Sequence, residues 1–210
     1  MEPKKIISNI LMVTVALVFI GAICLTTGCG KKETGVVAPV QNSVLDLTGV
    51  PPEIIASLPP DPGEKGKETI EGVNANNDPA GLRDDVERYI IVNYYNQPKV
   101  QEAVTRYAQV MQNAIRDISN QKYSKAQMKA TAVENGRESF VLGECIGYTF
   151  GTDDKWKIRD AIQDVIFNTD ARIIAYLAYD EQLGGEYYRG LSNHELTKVC
   201  DSTATSTQQQ

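Results

Sequence analysis

Few side chains in this sequence could perform catalysis. His194 is the only histidine, and it lies in the polar run of residues 192–195, where we expect a surface position. A zinc site built on two histidines is therefore excluded, and a Ser/His/Asp or Cys/His triad would depend on His194 alone. Asp160 and Asp164 lie one helical turn apart, but no loop has EF-hand spacing, so we expect a solvated acidic face. The sequence predicts neither a metal site nor a cofactor site.

Two of the four cysteines, Cys24 and Cys29, lie in a distinctive N-terminal segment. It begins with the positive charges of Lys4 and Lys5 and continues with an uncharged, largely apolar run over residues 10–25. As a helix this run would rise about 24 Å, against about 30 Å for the hydrocarbon core of a bilayer. It is short for a permanent span, and the segment therefore predicts an export leader.

The end of this leader resembles the lipobox of bacterial lipoproteins, in which a small residue directly precedes a cysteine. Gly28-Cys29 matches, whereas the Leu that the family usually has three residues before the cysteine is replaced by Thr26, with Leu25 one step earlier. The resemblance implies cleavage after residue 28 and a membrane anchor through lipid on Cys29. In the enteric sorting pattern of this family, an Asp directly after the cysteine retains the lipoprotein at the inner membrane. This chain has Gly30 at that position, so the resemblance implies the periplasmic side of the outer membrane or the cell surface. The alternative is an uncleaved N-terminal anchor.

The other two cysteines, Cys145 and Cys200, would be the remaining thiols of the mature protein. Cys24 would leave with the leader and Cys29 would carry lipid, while the chain would enter an oxidising space. We therefore predict a disulfide between Cys145 and Cys200. The alternative is two separate buried thiols that act as small apolar side chains.

One pair of residues suggests an enzyme. Glu138-Ser139 resembles the catalytic Glu-Ser pair of lysozyme-like lytic transglycosylases, and Ala178-Tyr179 is similar to part of their later Ala-Tyr-Asn element. The family also has a Gly-Leu-Met-Gln type segment between the two, where this chain has Gly-Tyr-Thr-Phe at residues 147–150. The resemblance implies cell-wall binding or remodelling with Glu138 as the general acid. This is the alternative to a non-enzymatic role.

Charge restricts the class of partner. The formal net charge is -6, and removal of residues 1–28, with Glu2, Lys4 and Lys5, makes it one unit more negative. This is the wrong sign for binding phosphate backbones, so nucleic acid is not an expected partner. The sequence favours an envelope lipoprotein that acts through contacts with an unidentified envelope protein, in assembly, secretion or surface interaction.

Residues 29–77 have the composition of a linker. They are rich in proline, glycine, lysine and glutamate and contain no aromatic residue. Such a segment buries too little apolar surface to offset the entropy of ordering it, so we predict a disordered, flexible stalk. Within it Ile54, Ile55 and Leu58 lie at one-turn spacing between proline pairs, as in a short docking segment. The alternative is an apolar patch of linker without a partner.

Residues 78–200 predict one all-α domain of five or six helices, followed by a polar, disordered tail over residues 201–210. Asp78 with Pro79 predicts the start of the first helix, and Pro98 the start of the second. The apolar stripe of the second helix has helical spacing. Its members are Val100, Val104, Tyr107, Met111, Ile115 and Ile118.

The later helices are predicted from caps and apolar spacing. Ser124 with Gln127 and Ser192 with Glu195 have the spacing of capping boxes. Asn135-Gly136 predicts a weak point in the third helix, and the segment near 140–150 is helical or, alternatively, a short strand. Further helices begin near Thr152 and after Thr169. The apolar positions of the fifth helix are Ile173, Ile174, Leu177 and Leu183.

Overall fold

The computed structural model describes residues 45–75, 81–119 and 123–203, with side chains as far as Cys200. These residues form seven α-helices and one 3-10 helix, and the described ranges contain no strand. The α-helices are α1 (Pro52–Ser57), α2 (Asp84–Tyr94), α3 (Pro98–Ile118), α4 (Lys125–Phe150), α5 (Thr152–Ile166), α6 (Asp170–Gln182) and α7 (Asn193–Thr203). The 3-10 helix spans Gly63–Lys67. The all-α prediction is confirmed, with six helices from α2 onward.

Helix α3 forms the centre of the domain, because it contacts α2, α4, α5 and α6. Its predicted apolar stripe is buried from Val100 to Ile115, and Ile118 packs partly buried against the same core. Pro98 occupies the first turn of α3, as predicted, where its missing N–H removes no helical hydrogen bond. The strong 3.6-residue period of this one helix therefore determines where the core lies.

Helix α4 runs without interruption through the predicted weak point at Asn135-Gly136 and through the segment that could have been a strand. Its first turn is held by the predicted capping box of Ser124 and Gln127. Gly136 is buried, and a Cβ there would lie 2.6 Å from the hydroxyl of Tyr188 and 2.9 Å from Leu183. The glycine thus serves close packing and does not end the helix. Leu142 and Ile146, one turn apart, are buried in the core, which favours helix over strand.

Helix α2 begins later than the sequence predicted. Asp78 and Pro79 lie outside the described residues, and residues 81–83 are not helical. The helix starts at Asp84 after an extended Arg83. The reason is tertiary, since the backbone N–H of Arg83 donates to the side chain of Gln112 on α3 at 3.0 Å. This bond holds the chain against α3 just before the first turn.

The prediction of a flexible linker is wrong for residues 45–75. This part of the chain forms α1 and the 3-10 helix, and Ile70 packs against the core. Arg88 on α2 donates to the carbonyl oxygen of Pro59, and Arg172 on α6 donates to the carbonyls of Gly66, Thr69 and Ile70. The prediction considered only how few apolar residues the segment contains. It did not anticipate these contacts, because they are made by arginine side chains that bind the backbone carbonyls of the segment. Residues 29–44 lie outside the described ranges.

Candidate functional site

A polar cluster of the domain is centred on Asp85, at the start of α2. Both oxygens of its carboxylate accept from the guanidinium of Arg83, at 2.9 and 3.0 Å. Arg83 is fully buried and also donates to the carbonyls of Val165 and Ile166, at the end of α5. A cation at this position complements the unpaired carbonyls and the dipole of the helix C-terminus.

A second buried arginine, Arg172 of α6, completes the cluster. Its Nη2 donates to the carbonyls of Gly66 at 2.6 Å and Thr69 at 2.8 Å, and its Nη1 lies 3.9 Å from Asp85 Oδ2. Burial and the charge of Arg83 lower the pKa of Arg172 to about 10, although Asp85 opposes this shift. Arg172 therefore remains a cation at neutral pH.

The carboxyl of Asp85 is ionised in this cluster. Its burial disfavours the charged form, but hydrogen bonding to Arg83 and the charges of Arg83 and Arg172 hold its pKa below the usual value. Asn168 also donates to it at 3.0 Å. Because the cations are fully engaged by backbone carbonyls and Asp85, the cluster joins chain segments and offers no free acid or base for catalysis.

A cleft of about 330 Å³ lies between α2 and α3. Burial and the neighbouring charge of Asp84 raise the pKa of Glu87, which lines it. The facing side chains of α3 are the amides and hydroxyl of Gln101, Thr105 and Gln109. The described lining contains no histidine, cysteine or serine. The polar side chains of this lining can donate hydrogen bonds to a small polar molecule and accept hydrogen bonds from it.

The predicted disulfide is present. Cys145 near the end of α4 is bonded to Cys200 on α7, with Cα atoms 5.4 Å apart. Tyr148 on α4 also lies within hydrogen-bond distance of Thr197, at 3.1 Å between the two hydroxyl oxygens. The bond fixes the last described helix to the longest helix of the domain.

Helix α6 leaves its isoleucine and leucine side chains on the surface. Ile174 is 67% exposed, Leu177 is 59% exposed and Ile173 is 39% exposed. The buried residues of α6 are instead Arg172, Ala175 and Tyr179. Of the apolar positions that the sequence gives for this helix, Ile173, Ile174 and Leu177 are exposed, whereas Leu183 packs partly buried against the core. Because the side chain of Arg172 is buried in the polar cluster, the opposite face of α6, which carries Ile174 and Leu177, lies on the surface.

The other residues singled out in the sequence are scattered. Cys29 lies outside the described residues. Ile54 and Leu58 are partly buried and Ile55 is exposed, in a segment that contacts α2 of the same chain. The predicted docking segment therefore has an intramolecular neighbour already. His194 is exposed, as expected from its polar surroundings.

Glu138, the general acid of the enzymatic alternative, is exposed on α4. It lines neither the cleft between α2 and α3 nor the small apolar gap near Met128 and Tyr179. Ser139 donates to the carbonyl of Gly136 within its own helix. A glycosidase acid needs a site that surrounds the sugar and raises the carboxyl pKa. The surroundings of Glu138 supply no such enclosure among the described residues.

Comparisons with protein families, with curated proteins and with solved structures found no match. Within the described ranges, no group of three or more His, Cys, Asp or Glu side chains is placed to hold a metal ion. None of the described helices is long and apolar enough to span a membrane. The fold and surface define the described domain as a small, disulfide-linked helical domain with an exposed apolar helix face.

Sequence reasoning missed Arg83, Asp85 and Arg172. Charged residues at helix ends usually lie in solvent, and nothing in their local sequence marks the two arginines as buried or Asp85 as partly buried. The only local signal is the apolar excess of α6, where Ile173, Ile174, Ala175, Leu177 and Ala178 cannot all face one core. A helix that is apolar nearly all round indicates either complete burial or a second contact surface.

Proposed function

We propose that this protein is a lipid-anchored component of the bacterial cell envelope that acts through contacts with another envelope protein. The anchor is lipid on Cys29, and the helical domain faces the periplasm from the outer membrane, or lies at the cell surface. The role is one of assembly, secretion or surface interaction. The observation that carries the proposal is the disulfide between Cys145 and Cys200.

The disulfide supports export because such bonds persist in oxidising compartments and are rare where cellular thiols are kept reduced. It agrees with the lipobox-like Gly28-Cys29 junction, which by its resemblance implies the same compartment. The two observations are independent, since one is a pattern at the N-terminus and the other a spatial pairing of residues in the folded domain.

Action through protein contacts is supported by the surface of α6. Three large apolar side chains are exposed together on one helix, whereas exposed apolar residues on a monomeric protein are usually scattered singly. In the part of the chain that the structure describes, no group of three or more His, Cys, Asp or Glu side chains is placed to hold a metal ion. The exposed apolar face of α6 therefore supports a role in binding another protein.

Acyl labelling in cells tests the anchor, with Cys29→Ser as the test variant and Cys24→Ser as the matched control. We expect the wild type and Cys24→Ser to incorporate labelled fatty acid and to fractionate with membranes. Cys29→Ser should incorporate none and should remain as the longer precursor. The proposal fails if the wild type carries no label, or if Cys29→Ser retains both the label and the mature length.

A further inference from the structure

The outermost stripe of α6 has acidic residues at both ends and apolar residues in the middle. At about 100° per residue, Asp170, Ile174, Leu177 and Glu181 fall on one line along the helix, at spacings of four, three and four residues. All four side chains are exposed, and Ile173 lies beside them. The two carboxylates are about 16 Å apart along the axis, at about 1.5 Å per residue.

The exposed charges of α6 have one sign. Asp170, Asp180 and Glu181 are exposed, whereas Arg172, the only basic residue of the helix, is buried and bound to carbonyl oxygens and to Asn168. A partner that covers Ile174 and Leu177 therefore meets negative charge at both ends of the apolar patch.

This pattern disfavours two simple occupants. A second copy of the chain, packed on this face in either direction, would bring Asp170 against Asp170 or Glu181 of its partner, and like charges across an interface are repulsive. An anionic membrane surface would be repelled in the same way. Charge complementarity instead requires cations on the partner.

We infer that α6 is the docking face for an amphipathic helix of another protein, with two basic residues eleven positions apart and two apolar residues between them. The sequence pattern of this helix is Lys/Arg-x3-Leu-x2-Leu-x3-Lys/Arg, where x is any residue. The spacing is symmetric, so the fit is the same in both directions. This inference rests on the proposed function, since it names the kind of protein contact that the envelope domain makes.

Synthetic peptides test this directly. The probe is an 18-residue helical peptide with Lys-x3-Leu-x2-Leu-x3-Lys at its centre, and the matched control has Glu at the two Lys positions. The full chain, purified and reconstituted in neutral phosphatidylcholine vesicles, is titrated against each labelled peptide by fluorescence anisotropy. We expect the Lys peptide to bind at least about tenfold more tightly than the Glu peptide, and its affinity to fall as salt is raised.

Variants of the protein locate the site. Leu177→Ser should weaken the Lys peptide by about tenfold or more, since it removes the centre of the apolar patch. Tyr187→Ser is the matched control, because Tyr187 is 86% exposed and lies outside α6. Glu181→Lys should weaken the Lys peptide and strengthen a peptide with Glu at one end. A cation in the last turn suits the helix dipole, so this variant should keep its fold.

Three results would overturn the inference. The first is equal binding of the Lys and Glu peptides. The second is loss of binding with Tyr187→Ser but not with Leu177→Ser. The third is a dimer of the wild type in sedimentation equilibrium that Leu177→Ser dissociates. Adding anionic lipid to the vesicles without peptide tests the membrane alternative, and quenching of a fluorophore on α6 by lipid-borne quenchers would also overturn the inference. The peptide assay does not use the lipid on Cys29, so failure of the anchor and failure of the docking face give separate results.

Discussion

Arg172 donates from α6 to the carbonyl oxygen of Gly66, 2.6 Å away and more than a hundred residues earlier in the chain. Together with Arg88, which donates to Pro59, this side chain joins the segment of residues 45–75 to the helical domain. The segment has few apolar residues, so its position depends on donors supplied by the domain. Gly72, with a φ of 63°, lets the loop pass close to the cluster, since a Cβ there would lie 2.5 Å from Arg83 and 2.8 Å from Arg172.

Arg172→Met should therefore release this segment and destabilise the domain. We expect the free energy of unfolding to fall by about 3 kcal/mol, because the carbonyls and Asp85 lose a buried charged donor. Urea denaturation measures the loss, and limited proteolysis should show new cleavage between residues 62 and 75. Arg189→Met is the control, because the Arg189 side chain is 67% exposed and its ion pair with Glu195 is screened by solvent, so its loss should change stability little. Equal losses in the two variants would contradict the assigned role of Arg172.

Asp85→Asn should make the stability of the domain less sensitive to acid. The folded pKa of Asp85 lies below its unfolded value, so its contribution is complete above the unfolded pKa. That contribution is lost as the pH falls through the folded pKa. We expect the variant to be about 2 kcal/mol less stable at pH 7, with the difference from the wild type shrinking as acid protonates the native carboxyl.

The measurement is denaturation of both proteins between pH 7 and pH 2. Glu138→Gln is the control, because Glu138 is exposed on α4 and should not change the pH profile. A constant difference between Asp85→Asn and the wild type at every pH would show that Asp85 acts by packing alone.

The sequence predicts the helices well because their signals are local. The stripe from Val100 to Ile115 specifies α3, and the cap at Ser124 specifies the start of α4. The number of thiols left in the mature chain and the expected compartment also predict the disulfide, without any knowledge of the fold. These features need only neighbouring residues or a count of cysteines.

The buried polar cluster could not be predicted, because its members are distant in the chain. Arg83 and Arg172 become buried only when the ends of α2, α5 and α6 meet, and each then replaces solvent with backbone carbonyls. The same long-range contacts explain why residues 45–75 are structured despite a linker-like composition. They also place Ile174 and Leu177 on the surface, which the apolar spacing of α6 alone did not predict.

Reducing the disulfide should destabilise the domain substantially. The bond closes a loop with a sequence separation of 55 residues, for which the chain-entropy relation gives about 4 kcal/mol. Cys200→Ala should lower the free energy of unfolding by about this amount, and dithiothreitol should lower that of the wild type similarly while leaving the variant unchanged. Thiol titration of the denatured, unreduced wild type should detect neither Cys145 nor Cys200. Two reactive thiols at those positions would contradict the bond.

Gly136→Ala should destabilise the domain even though alanine is the better helix former. The added Cβ would lie 2.6 Å from the hydroxyl of Tyr188 and 2.9 Å from Leu183, so these two side chains must shift away from α4. That movement would also weaken the hydrogen bond from Tyr188 to the carbonyl of Val133, now 3.2 Å long. We expect a net loss of about 1 to 2 kcal/mol, because overpacking exceeds the propensity gain of about 1 kcal/mol. Gly190→Ala is the matched control, since nothing lies within 4 Å of its added Cβ, and its stability should match the wild type. If Gly136→Ala were instead more stable than the wild type in urea denaturation, close packing would not be the reason for this glycine.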